Sequence, residues 1–157
     1  MKKAISLLLI LLLMVSVSAH SEQIITVDAF AQRYNDCMTA FYKAFRQKYT
    51  PVEAAITETH FTLELPNGMI EGTAETDGII IVDVLADDVT GSLIIMGATA
   101  ALSSLDSAAD VMDPGKQAKH ILQTGDPDIA TTNGYSIEIV ERFKSGEARH
   151  VIITKLP

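Results

Sequence analysis

The chain has 157 residues, with 12 basic side chains against 20 acidic ones, a formal charge of −8, 48% hydrophobic residues and a single cysteine. That charge repels phosphate backbones and anionic lipid surfaces, which argues against nucleic acid or membrane as the main partner. One cysteine cannot form an internal disulfide, so a folded domain has to be held by its core.

Lys2 and Lys3 precede an apolar run from Ala4 to Val17 that only Ser6 and Ser16 interrupt, and Val17-Ser18-Ala19 places small residues at a cleavage position. Residues 1–19 therefore read as a secretory signal peptide, too short for the roughly 20 apolar residues of a spanning helix. The mature chain is expected to be residues 20–157, a single domain working outside the cytoplasm, in a bacterial periplasm or fully secreted. Cleavage removes two of the 12 basic residues and none of the 20 acidic ones, leaving 10 against 20 and a net charge of −10. No Asn-x-Ser/Thr sequon gives sign of a eukaryotic secretory route.

From 27 to 49, Phe30, Tyr34, Cys37, Met38, Phe41, Phe45 and Tyr49 recur every three or four residues, which predicts a long amphipathic helix. Thr26 or Asp28 can cap its start, and Pro51 should end it near Thr50. Thr50-Pro51-Val52-Glu53 resembles a capping box with Pro at the first helical position, so a further short helical turn is expected there. From His60 the period becomes two: Phe61, Leu63 and Leu65 point one way, Thr62 and Glu64 the other. Turns at Pro66-Asn67-Gly68 and Thr76-Asp77-Gly78 separate this strand from Met69–Glu75 and from Ile79–Leu85, giving an antiparallel three-strand meander.

Leu93 to Leu102 is apolar on nearly every side and reads as a buried helix capped by Thr90 or Ser92, with Gly97 and Ala101 allowing close backbone approach. Asp113-Pro114 should begin a third helix carrying Ala118, Ile121 and Leu122, and Gly125 should end it. After a polar loop from Asp126 to Gly134, Tyr135–Phe143 and Ala148–Leu156 form a hairpin through Lys144-Ser145-Gly146-Glu147. The expected architecture is α+β, an antiparallel sheet of about five strands with the long helix and one or two central helices packed on it.

Charge is unevenly placed, since no Lys or Arg occurs between Lys48 and Lys116 while acids from Glu53 to Asp113 fill that interval. This predicts a strongly negative part of the surface, suited to solubility or to a basic partner. Cys37 falls on the apolar stripe of the long helix and reads as a packed thiol rather than a nucleophile. His20, His60, His120 and His150 show no zinc spacing, and a copper site at a new His20 terminus would rest on the cleavage position alone. Asp126, Asp128, Thr131 and Asn133 collect oxygen atoms in one loop but lack the EF-hand pattern. With no Gly-x-Ser-x-Gly, Walker, Gly-x-Gly-x-x-Gly, His-Glu-x-x-His or Cys-x-x-Cys motif, no catalytic, cofactor-binding or metal-binding residue is assigned. The expected function is that of a small exported acidic binding protein, non-catalytic, meeting a protein or peptide on its sheet face or a helix groove. A carrier of an apolar small ligand and a hydrolase whose residues only the fold assembles are the alternatives.

Overall fold

The computed structural model describes residues 24–88, 92–102, 129–132 and 134–157. Among the described residues, two helices, α1 (Val27–Ala44) and α2 (Ser92–Leu102), accompany seven strands. These are β1 (Ala55–Thr57), β2 (His60–Leu65), β3 (Gly68–Glu75), β4 (Gly78–Ala86), β5 (Ile129–Thr132), β6 (Tyr135–Arg142) and β7 (Ala148–Lys155). They form one sheet in the order β1-β2-β3-β4-β7-β6-β5, every neighbouring pair antiparallel. The α+β class expected from the sequence is therefore present. The third helix expected after Asp113 lies outside the described residues, as do His20, His120 and most of the oxygen-rich loop.

The expected count of about five strands falls short at both edges of the sheet. One extra strand, β5, occupies part of what read as the loop from Asp126 to Gly134, pairing Thr132 with Tyr135 and Ile129 with Glu138. The other, β1, follows the segment expected to form a short helical turn, and residues 50–54 have no helix. The cause is a side chain on α1. Asn35 Nδ2 donates to the Val52 carbonyl at 2.8 Å, and its Oδ1 accepts from Val52 N–H at 2.9 Å and from the Tyr49 hydroxyl at 2.9 Å. Both main-chain groups of Val52 are thus engaged by Asn35, and residues 48–54 become an extended strap along the helix.

The first helix also ends earlier than its apolar spacing suggested. Thr26 caps its start, its Oγ1 accepting from Ala29 N–H at 3.2 Å. At the other end the N–H groups of Phe45 and Gln47 both reach the Tyr42 carbonyl, and Arg46 adopts a left-handed φ of 56° that turns the chain away. Phe45, which the pattern placed on the buried stripe, is consequently 64% exposed. Tyr49 instead returns from the strap to pack on Tyr42, with ring centroids 5.4 Å apart.

Both helices contribute to one core against one face of the sheet. Phe61 and Leu63 of β2, Ile70 of β3, Val82 and Val84 of β4, Ile137 and Ile139 of β6 and Val151 and Ile153 of β7 are buried together with Phe30, Tyr34, Cys37 and Met38 of α1. Phe61 lies across its cross-strand partner Gly72, where a Cβ would come within 2.4 Å of the ring, and Phe30 meets Phe61 edge-on at 5.8 Å. The second helix fits between α1 and strands β4 and β7. Its Ile95, Ala98, Thr99, Ala101 and Leu102 are fully buried, and the Thr99 hydroxyl is satisfied by the Ile95 carbonyl at 2.8 Å. The expectation of a buried, closely packed helix holds: a Cβ on Gly97 would stand 2.7 Å from Met38 Sδ and 2.9 Å from Tyr34 Cε2.

Two stability outcomes follow from these contacts. Gly97→Val should cost about 1–3 kcal/mol by forcing α2 off Tyr34 and Met38, read as a lower urea midpoint at unchanged m-value. Asn35→Ala should cost about 1–3 kcal/mol, because the Val52 amide and carbonyl lose their partner, and should raise the hydrogen exchange rate of the Val52 amide.

Candidate functional site

Strand alternation puts a second set of side chains on the face of the sheet opposite the helices. Three cross-strand rows can be followed in register: His60, Thr73, Ile81, Thr154 and Ser136; Thr62, Glu71, Asp83, Ile152 and Glu138; and Glu64, Met69, Leu85 and His150. Among the described residues no helix lies across this face. It carries the carboxylates Glu64, Glu71, Asp83 and Glu138, and no lysine or arginine stands in the three rows. Ile81, Leu85 and Ile152 are half-buried between their neighbours and Met69 is 36% exposed, so the carboxylates frame an aliphatic middle. A shallow trough of about 360 Å³ runs over Gly72 and Ile81, bordered by His60, Thr62, Glu71 and Asp83.

At the end of this trough His150 Nε2 lies 2.8 Å from Asp83 Oδ1. The two residues are diagonal across β4 and β7, since Asp83 opposes Ile152 and Leu85 opposes His150. Glu141, just after a bulge in β6, is held by Arg149 at 2.7 Å, and that guanidinium also sits 5.9 Å from the centre of the Phe143 ring. Glu141 is therefore paired with a cation at this end of the sheet, whereas among the described residues Glu71 and Glu138 project without an ion pair.

Cys37 lies on the other side of the sheet, fully buried within α1's packed face. Burial pushes its thiol from an ordinary 9.0 up to about 12, with Asp36 adding to the rise and Arg33 opposing it. The sheet separates this thiol from His60 and His150, so among the described residues no histidine is brought to it; His120 lies outside them. No group of three or more His, Cys, Asp or Glu with metal-holding geometry occurs among the described residues.

No protein-family model matches the chain, and neither a curated protein nor a solved structure gives a significant match.

A second concavity lies between the strap and the end of β2. It measures about 510 Å³ and is lined by Tyr42, Lys48, Tyr49, Val52, Leu65 and Pro66 together with Thr50 and Glu64. Tyr49 is fixed by its bond to Asn35, and burial, then Tyr42, pushes its hydroxyl from an ordinary 10.0 up to about 12, so it stays a neutral donor near neutral pH. The outward acid of β2, Glu64, was legible from the two-residue period. Asn35 was not, because a polar residue beside an apolar helical stripe has no pattern of its own; only the returning strap gives it a role.

Alkaline pH provides a direct test of these buried groups. Cys37, Tyr34 and Tyr49 all ionise at higher pH in the fold than in the unfolded chain. Their contribution to stability is complete below the ordinary values near 9 and 10 and is lost as the unfolded chain gives up protons that the fold retains toward 12. Cys37 alone should lower stability by on the order of 1.4 kcal/mol per pH unit in that window, read from urea midpoints between pH 8 and about 11. Cys37 should also resist aromatic disulfide reagents at pH 8 until denaturant is added; rapid labelling of the native protein would contradict its burial.

Proposed function

We propose that this protein is a small exported acidic binding protein, non-catalytic, whose open sheet face receives a basic protein or peptide. The observation that carries this reading is the composition of that face: Glu64, Glu71, Asp83 and Glu138 around Met69, Ile81, Leu85 and Ile152, with no lysine or arginine in the rows. A partner with lysine or arginine around an apolar strip would find both its charges and its aliphatic groups answered there. Export rests on the leader-like residues 1–19, whose removal would also deepen the negative charge and strengthen long-range attraction of a cation-bearing partner. No helix among the described residues is long and apolar enough to cross a membrane.

The apolar stretch that suggested a small-ligand carrier is packed against α1, β4 and β7, so its composition is accounted for by the core. The acidic face is thus the stronger basis for a function.

Titration calorimetry with two amphipathic peptides of one length, one alternating lysine with valine and the other glutamate with valine, tests the proposal. The lysine peptide should bind at about 0.05 M salt and weaken strongly at about 0.5 M, where charges are screened beyond a few ångströms. Replacing both Glu71 and Glu138 by lysine should weaken it by about tenfold or more, equivalent to about 1.4 kcal/mol. Equal binding of the glutamate peptide, or indifference to the double replacement, would remove the reading.

A further inference from the structure

The ladder of β2 leaves one pair of main-chain groups unused, at the concavity beside the strap. Ala74 N–H donates to the Thr59 carbonyl at 2.8 Å, and the register carries that phase along the strand, so Phe61, Leu63 and Leu65 exchange their bonds with β3. His60, Thr62 and Glu64 must therefore direct their N–H and C=O to the opposite side. There β1 meets the first two, Thr57 opposite His60 and Ala55 opposite Thr62, and then stops. In that register the residue facing Glu64 would be Glu53. Asn35 has drawn Val52 onto α1 instead, and the chain does not continue the ladder. Among the described residues no main-chain hydrogen bond completes this edge of Glu64.

We propose that this interrupted edge is a strand-addition site, at which a short extended peptide with the pattern apolar-basic-apolar takes up the ladder where β1 leaves it. The peptide's central residue pairs with Glu64, exchanging N–H and C=O with it as Ala55 does with Thr62. Residues directly opposite share a face, so this central side chain stands beside the exposed Glu64 carboxylate, where a lysine is matched. Its two neighbours point to the other face, toward Leu65, Tyr49 and Pro66 in the 510 Å³ concavity, which favours aliphatic or aromatic side chains. Exposed Glu53 and Glu58 border the same edge and add to the preference for a basic segment, which Lys48 on the strap opposes. Because Asn35 holds the strap in place, the seat exists before the peptide arrives.

This rests on the proposal that the partner is a polypeptide, but it concerns the interrupted edge of β2, which shares Glu64 alone with the rows of the sheet face. The probe is acetyl-Ala-Phe-Lys-Val-Ala-amide, added to the full mature chain and followed by amide NMR and hydrogen exchange. The Glu64 amide should exchange rapidly in the free protein and at least about tenfold more slowly at saturation. N-methylation of the peptide's lysine nitrogen should weaken binding by about tenfold, whereas N-methylation of its phenylalanine, whose N–H faces away, should change it by less than about twofold. Glu64→Lys should also weaken binding, with thermal unfolding measured alongside to exclude loss of the fold. A Glu64 amide already protected in the free protein, or equal effects of the two N-methyl groups, would overturn the proposal. Perturbation confined to Glu71, Asp83 and Ile152 would overturn it too while leaving the sheet-face reading intact; no perturbation anywhere would count against both.

Discussion

Everything in the fold depends on enclosing α2. A segment running Leu-Ile-Ile-Met-Gly-Ala-Thr-Ala-Ala-Leu has almost no polar side to turn toward water, so it must be covered on more than one side. The sheet covers it from one direction through β4 and β7, and α1 covers it from another. Gly97 permits the second contact, since any side chain there would occupy the space of Met38 and Tyr34. Among the described residues, with both helices drawn to one face, the core lies between that face and the helices, and the other face carries its own alternating residues.

The two candidate surfaces are by-products of this division. The open face inherits every second residue of β2, β3, β4, β7 and β6, and those positions happen to be rich in carboxylates with aliphatic residues in the middle. Acids on neighbouring strands repel, which lowers the stability of the sheet by a small amount at each like-charged pair. Glu71 directly opposite Asp83 is one such pair, and His150 Nε2 lies 2.8 Å from the Asp83 carboxylate. A cationic partner would relieve the repulsion, so charge placement that is costly in isolation becomes favourable in a complex.

The strap shows how a single amide can set both stability and surface. Asn35 forms three hydrogen bonds to a segment at least 14 positions away in sequence. It converts what could have been a continuation of β1 into a segment tied to the helix, orients Tyr49 against Tyr42 and opens a gap beside Glu64. Fold and candidate peptide seat are therefore coupled through one residue that has no chemistry of its own beyond an amide's donors and acceptor.

The sequence by itself determined the local elements whose side chains repeat with a clear period. The stripe from Phe30 to Phe41, the alternation in Phe61-Thr62-Leu63-Glu64-Leu65, the turns at Asn67 and Asp77 and the apolar α2 each follow from short-range spacing or backbone preference, and each stands in the structure. The outward placement of Thr62 and Glu64 on β2 was readable for the same reason. What only the tertiary structure decided was how β7 pairs with β4, where α1 stops, and what residues 48–54 do. Those outcomes depend on contacts between segments far apart in the chain, such as Asn35 with Val52 and Asp83 with His150, whose energies compete with local propensity and leave no periodic trace. A three-residue strand like β1 forms because β2 offers it hydrogen bonds, and a helix with apolar spacing through Tyr49 ends at Ala44 because Arg46 turns the chain back so that Tyr49 can meet Tyr42.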